Sequence, residues 1–431
     1  MGIVVGFSIL SIMMIVHELG HFLTGLRLGF KIEEFSLFMG PVLFSRTRRG
    51  IKYSIKLFPI GASVRFAGEY TDDLVPGDDD PGHFFNRPKW ARAIVIGTGP
   101  ALNFLSGILA FFIMFTSFGY TVPVIAQVNS NTLAYEAGLQ AGDRIIAVEG
   151  ESIRTTLDFG GREMFLTADQ PMQLRLRSPD GSIRETTLVP VAVDGYRLGI
   201  TVDLSGADAG VRISSVDEKS NNGNPVLRVG DILLSVNGVP YGHDDFVQTV
   251  EDSAGGPLCV LVKRDGQNLE LEMAATQYRY HLSRGIYFES GRALVPAIGQ
   301  SFLWSWSIIK VTLRSIGMMF TGVIKPQEAL SGPVGVVTII SDVISAKQPL
   351  ADKIYQLLWL FALISVSLGF MNLLPIPPLD GNHLVLIVIE AIRGKRLSEK
   401  TQHIIGMAGL ALIILLAAAG LLFDVMRLVG R

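Results

Sequence analysis

Hydrophobic and polar positions divide the chain into blocks of different period. Residues 2–23, 93–118, 354–376 and 404–423 are apolar almost throughout, and the last three of these stretches carry no charged side chain. Each approaches the roughly 20 apolar residues that a helix needs to cross about 30 Å of hydrocarbon, so the pattern predicts four membrane-spanning helices. Residues 124–290 instead have the mixed, turn-rich composition of soluble domains. Between the first two apolar stretches, Tyr53–Phe58 and Ser63–Phe66 alternate on either side of Pro59-Ile60-Gly61-Ala62, which predicts a β-hairpin turning at 59–62. Residues 71–82, rich in Asp, Pro and Gly, predict a mobile loop, and Asp78-Asp79-Asp80 lacks the spacing of a calcium loop.

An internal repeat organises the soluble block. Gly142-Asp143-Arg144-Ile145-Ile146-Ala147-Val148-Glu149-Gly150 recurs as Gly230-Asp231-Ile232-Leu233-Leu234-Ser235-Val236-Asn237-Gly238. Each copy runs on to a Gly-Ile strand start, Gly199-Ile200 and Gly285-Ile286, so each is expected to close with its own last strand. The copies resemble tandem PDZ domains in the permuted bacterial arrangement, which implies domains at 124–205 and 206–290. Such domains add an extended peptide to a sheet edge, and a role as spacers or as a size filter is equally open. After them, Lys310 and Arg314 recur on one face beside Trp304 and Trp306, which predicts an interfacial amphipathic helix over 298–324 in preference to a fifth span.

Composition places the chain toward the membrane class, with 49% hydrophobic residues, 18% charged residues and a mean hydropathy of +0.40. The net charge of −2 gives no electrostatic footprint for nucleic acid. The lone Cys259 excludes an internal disulfide and a zinc–thiolate cluster, and its apolar surroundings read as a buried strand position. No Lys or Arg precedes Arg27, so the first apolar stretch lacks the basic flank of a signal peptide and is expected to be retained. Eleven basic residues lie in 24–92, and Arg393, Lys395, Arg396 and Lys400 lie between the last two apolar stretches. Both loops therefore read as cytoplasmic and residues 119–295 as extracytoplasmic.

The candidate chemistry lies at the end of the first stretch, in His17-Glu18-Leu19-Gly20-His21. Four residues advance a helix by just over one turn, so both imidazoles share a face and can bind one metal, with Glu18 beside them as a general base. Ionisable groups at membrane depth are expensive and mark function. Catalytic zinc takes three protein ligands, and two are in hand. His83 and Glu33-Glu34 lie in polar loop sequence, which leaves Asp380 in Asn372-Leu373-Leu374-Pro375-Ile376-Pro377-Pro378-Leu379-Asp380-Gly381 as the better third ligand. Its prolines must break the third span, and broken backbone at that depth is tolerated where it lines a cavity. His243, His281, His383 and His403 are not read as ligands.

The His17–His21 motif, the Asn372–Gly381 string and Gly99-Pro100-x-x-Asn103 resemble the site-two protease family of intramembrane zinc metalloproteases, most closely its RseP-like branch with tandem PDZ domains. The resemblance spans nearly the whole chain and implies a polytopic α-helical membrane protein of about four transmembrane helices, with a membrane-associated β-hairpin and two extracytoplasmic PDZ-like α+β domains. The implied divisions are an N-terminal membrane part (1–123), the two PDZ-like domains, an interfacial segment (291–353) and a C-terminal membrane part (354–431). It implies zinc on His17, His21 and Asp380, Glu18 as base, and substrate backbone held by Asn372 and Asn103. The implied substrates are single-span membrane proteins of the anti-sigma-factor type and signal-peptide remnants, cleaved in a bacterial inner membrane with the metal toward the cytoplasm and the PDZ pair gating access. Asn382 departs from the second Gly found in many members. Two competing readings are an inactive membrane-tethered PDZ adaptor, disfavoured by the intact Glu18, and a transporter, disfavoured because the membrane halves show no repeat.

Overall fold

The computed structural model describes residues 2–69, 80–130, 132–163, 170–203, 210–242, 245–325 and 332–429. Most of the predicted loop at 71–82, including Asp78 and Asp79, lies outside these residues, as does His243. The chain divides into two compact units. One comprises Met1–Val122, Arg154–Gly161 and Ser290–Arg431, and the other Pro123–Ile153 and Arg162–Glu289.

In the first unit, helix α1 (Gly2–Arg27) is followed by strands β1 (Ile32–Arg48) and β2 (Ile51–Phe66), then α2 (Lys89–Phe118). The remaining helices are α3 (Leu294–Phe320), α4 (Pro333–Ser345), α5 (Leu350–Asn372), α6 (Asp380–Arg393) and α7 (Glu399–Val429). Among the described residues, α1, α2, α5 and Lys400–Met426 of α7 are long and apolar enough to cross a membrane, which agrees with the four predicted stretches. Helix α3 is not among them. Its Trp304 is buried against Phe111 and Phe115 of α2, with ring centroids 5.9 and 5.4 Å away, while Trp306 is exposed. Lys310 of α3 is paired rather than free on a polar face: its Nζ lies 2.6 Å from Oδ1 of the buried Asp158.

Small residues and buried polar groups set how these helices meet. A Cβ at Gly20 of α1 would meet the Thr98 carbonyl and Gly99 Cα of α2 at 3.0 Å or less, so the two backbones touch there. Ser365 of α5 donates to the Asn103 carbonyl of α2 at 3.0 Å and shares a 2.7 Å hydrogen bond with Ser106. The buried Arg92 of α2 reaches both Glu390 oxygens, at 2.8 and 2.9 Å, and fastens α6 to α2. Asp424 of α7 is also buried and accepts from the Gly332 and Gly335 amides at 3.1 and 2.8 Å, which satisfies the N-terminus of α4.

The predicted hairpin is β-structure with a different pairing. Residues 34–37 of β1 are partnered on one side by 62–65 of β2 and on the other by 52–55, while 42–48 pair with 51–56. The two alternating stretches therefore do not form a hairpin with each other around 59–62; both pair with residues 34–37 of β1, which lie between them. Gly40 (φ 93°) and Gly61 (φ 84°) occupy left-handed backbone at the reversals that make this possible. Exposed apolar side chains cluster on the sheet, among them Met39, Leu43, Phe44, Leu57 and Phe58.

In the second unit the repeat forms two sheets of like order. The first runs Ile286–Gly291, Tyr120–Val128, Arg144–Val148, Met172–Arg177, Ile183–Leu188, and the second runs Ile200–Asp203, Val211–Val216, Ile232–Val236, Pro257–Arg264, Gln267–Ala274. The expectation that each copy keeps its own last strand is corrected here, because Ile200–Asp203 belongs to the second sheet and Ile286–Gly291 returns to the first. Boundaries at 205 and 290 consequently cut across the pairing. A two-stranded ribbon, Ala192–Arg197 with Thr276–His281, joins the copies and nests the second within the first. Cys259 is exposed, which corrects the buried reading. The strand's two-residue period turns Leu258, Val260 and Val262 inward, so the cysteine between them must face out.

The repeated Gly-Asp has one structural role in both copies. Asp143 accepts from the Gln140 amide at 3.0 Å and from Arg184 at 2.5 Å, while Asp231 accepts from the Arg228 amide at 2.8 Å and from Arg264 at 2.7 and 2.8 Å. Hydrogen bonding from the Arg264 guanidinium holds the buried Asp231 carboxyl below its ordinary value. A depressed native pKa stabilises above the unfolded value near 3.9, and that contribution disappears as pH falls through the native pKa. Protection of the 211–274 amides against hydrogen exchange is therefore expected to be level near neutrality and to fall below about pH 4. Arg264→Met should lower protection at pH 7 by about 1.5–3 kcal/mol and remove most of the acid dependence. An unchanged acid limb in that variant would defeat the assignment.

Candidate active site

Three chain segments far apart in sequence supply the site. His17 and His21 lie one helical turn apart on the buried face of α1, with ring centroids 4.8 Å apart. Asp380 is the first residue of α6, placed there because Pro375, Pro377 and Pro378 cannot continue α5 beyond Asn372. A Cβ on Gly381 would collide with the Leu373 and Leu374 carbonyls, so glycine is required for the chain to fold back this tightly. Room for the imidazoles comes from α2: a Cβ at Gly99 would strike Nε2 and Cε1 of His21.

His17 Nε2 lies 3.1 Å from His21 Nε2 and 3.1 Å from Asp380 Oδ2, and His21 Nε2 lies 3.6 Å from that oxygen. Four-coordinate zinc with ligand bonds of about 2.0–2.1 Å separates its ligand atoms by roughly 3.3 Å, so the triangle has the right size. Asp380 Oδ2 is buried and accepts no hydrogen bond, although both imidazole nitrogens are near it. Two nitrogens and an oxygen that converge within 4.8 Å of one another, the buried oxygen without a hydrogen-bond partner, fit a divalent cation. Among the described residues, these three form the group of His, Cys, Asp and Glu side chains able to hold a metal, and His383 is not part of it.

Neighbouring groups orient the ligands. His21 Nδ1 is 2.9 Å from the Val95 carbonyl, which accepts from Nδ1–H and leaves Nε2 for the metal. His17 Nδ1 is flanked at 3.3 Å by the side-chain amides of both Asn103 and Asn372. Asn103 is fully buried beside the imidazole. Asn372 lines the cavity as well as touching His17.

The cavity in front of the triangle holds about 470 Å³. Its walls include Glu18, the strand residues Ala62, Val64 and Phe66, and two titratable groups that sequence reasoning did not assign to the site, Glu69 and His383. Glu18 Oε2 accepts from the Val64 amide at 3.0 Å, and Glu69 Oε2 accepts from the Phe66 amide at 3.2 Å. Burial pushes the Glu69 carboxyl up to about 7 against the opposing pull of that amide, and burial lowers the His383 imidazole. The only sequence signal for Glu69 was an acid placed just beyond the alternating strand.

Comparison with known proteins places the whole chain in a family. The model of peptidase family M50 matches residues 5–416. A Pasteurella multocida protein predicted to be a zinc metalloprotease is 33% identical, with 97% of each chain covered. The regulator of sigma-E protease RseP of Escherichia coli is 28% identical and that of Salmonella typhimurium 29%, again with 97% of each chain covered. A crystal structure of the HtrA3 PDZ domain bound to a phage-derived ligand aligns with 21% of this chain and 92% of its own, at 21% identity and a TM-score of 0.18. A match that spans His17, His21 and Asp380 and almost everything between them shows that the chain belongs to peptidase family M50, the site-two type of zinc metalloprotease.

Proposed function

We propose that the protein cleaves peptide bonds within or near the transmembrane segment of single-span membrane proteins, and that His17, His21 and Asp380 hold the zinc. The observation that carries this is the convergence of two imidazole nitrogens and the unpartnered Asp380 Oδ2 at the broken end of a membrane helix. Zinc bound there would polarise the scissile carbonyl and acidify the attacking water. Glu18, beside the histidines, takes the proton from that water and delivers it to the leaving amine. Asn103 holds His17: turned over, its amide puts the unpartnered Oδ1 against Nδ1–H, as metal binding through Nε2 requires. Asn372 lines the cavity and is the group we assign to substrate backbone.

A helical substrate hides its carbonyls in its own hydrogen bonds, so it must unwind before cleavage. Strand residues 62–66 border the cavity and offer a sheet edge to the freed backbone. Apolar side chains exposed on β1 and β2 support contact of that sheet with lipid, since a patch of this kind would be a liability in water. The basic residues of 24–92 support an inner-membrane orientation with the metal toward the cytoplasm and the repeat unit outside. Relatives named as regulators of sigma E suggest a membrane-bound anti-sigma factor as one substrate, with signal-peptide remnants as others.

The purified protein is expected to cleave a single-span substrate, to lose that activity to a chelator and to regain it with zinc. Full activity in the metal-free protein would end the proposal. The nested PDZ-like pair is proposed to restrict entry to substrates already shortened on the outer face. Deleting 124–290 should then raise cleavage of full-length substrate relative to trimmed substrate, and an unchanged ratio would remove the gate.

A further inference from the structure

The edge of β2 that borders the metal cavity is occupied by side chains. Strand parity decides which backbone groups face the cavity. Ala67 N donates inward to the Lys31 carbonyl at 2.9 Å, on the β1 side. Val64 and Phe66, of opposite parity, direct their amides outward. Each outward amide meets a carboxylate, Val64 that of Glu18 and Phe66 that of Glu69. These are successive outward donors on one edge, and Glu18, Glu69, Val64 and Phe66 all line the same cavity.

We infer that Glu18 and Glu69 stand in for a substrate backbone on this edge, so that an extended substrate must displace both carboxylates before it can pair with β2. The inference rests on the protease reading and adds a device to it. An uncapped strand edge in lipid would pair with any unwound segment, and buried amides without acceptors are costly, so acceptors on the edge both satisfy and guard it. The two caps differ in consequence. A substrate carbonyl taking the Val64 amide frees the Glu18 oxygen that had been holding it, which couples strand docking to release of the base. Glu69 does not touch the metal ligands, and its cap is a competitor that a docking strand replaces. Its position one short turn beyond Phe66 lets it fold back onto the strand that precedes it.

The test measures binding without turnover. The ligand is an extended peptide whose scissile bond is replaced by a non-hydrolysable isostere, and the comparison ligand is acetohydroxamate, which addresses the metal and makes no strand contact. Glu69→Ala in the full-length protein is expected to bind the peptide about three- to tenfold more tightly than the wild type, the worth of one competing hydrogen bond. Acetohydroxamate should bind both proteins equally, and the Phe66 amide should exchange faster in the variant until the peptide is added. Glu69→Gln, which keeps an acceptor and the side-chain volume, should fall between the two. Equal or weaker peptide binding by Glu69→Ala, with unchanged exchange at Phe66, would overturn the inference. Loss of acetohydroxamate binding in the wild type would instead count against the metalloprotease reading, which separates the two failures.

Discussion

Glu18→Gln is expected to lower cleavage of a single-span substrate by about 10²–10⁴-fold while leaving zinc content unchanged. Glutamine has nearly the same shape and keeps an oxygen that can accept from the Val64 amide, so the link between α1 and β2 should survive. It cannot take a proton from water. Glu18 is not one of the three side chains that converge on a metal position, and for that reason the variant separates proton transfer from metal binding. The measurement is the single-turnover rate in detergent or reconstituted bilayers, with the metal quantified in the same sample. Wild-type rates in the variant would exclude Glu18 as the base, and loss of zinc with activity would assign it to the metal site instead.

Asp380→Ala is expected to weaken zinc binding by more than about 100-fold, beyond what loss of a ligand's supporting partner costs. The carboxylate supplies one corner of the triangle, and its Oδ2 has no other partner to explain its burial. Removing it leaves two imidazoles held by Val95, Asn103 and Asn372, a site with one ligand too few for catalytic zinc. Helix α6 should persist, because the Arg92–Glu390 pair anchors it near its far end and Gly381 still admits the tight approach to Leu373. Competition with a chelator of known affinity gives the constant directly. Zinc binding within threefold of the wild type would move the third ligand elsewhere, and His383, which lines the same cavity, would be the next residue to replace.

How far the site could be read in advance depended on sequence distance. His17, Glu18 and His21 are legible because helical spacing is local: once an apolar run predicts a helix, residues four apart must share a face. Asp380 was reachable because a proline-rich break in an apolar run is also a local signal, although nothing local says which helix faces the break. Asn103 shows the limit of that reasoning. It lies in a recognisable pattern beside Gly99, yet its burial beside His17 depends on the close contact of α1 with α2. Glu69 carried no motif, and only the return of β2 to the cavity gives it a place.

The strands follow the same rule. Alternation in 53–58 and 63–66 announced β-structure correctly, because a two-residue period is a property of each segment. Partner choice is not such a property. Residues 34–37 insert between those two stretches, and the last strands of the two repeats are exchanged, since hydrogen bonding rewards any edge the chain can reach. By itself the sequence determined the apolar spans and the paired histidines, which are properties of single segments, and the repeat, which needs only two stretches of chain to be compared. Tertiary structure alone decided which helix faces meet, which strands pair and which acids cap the cavity edge, because those outcomes depend on backbones brought together from distant parts of the chain.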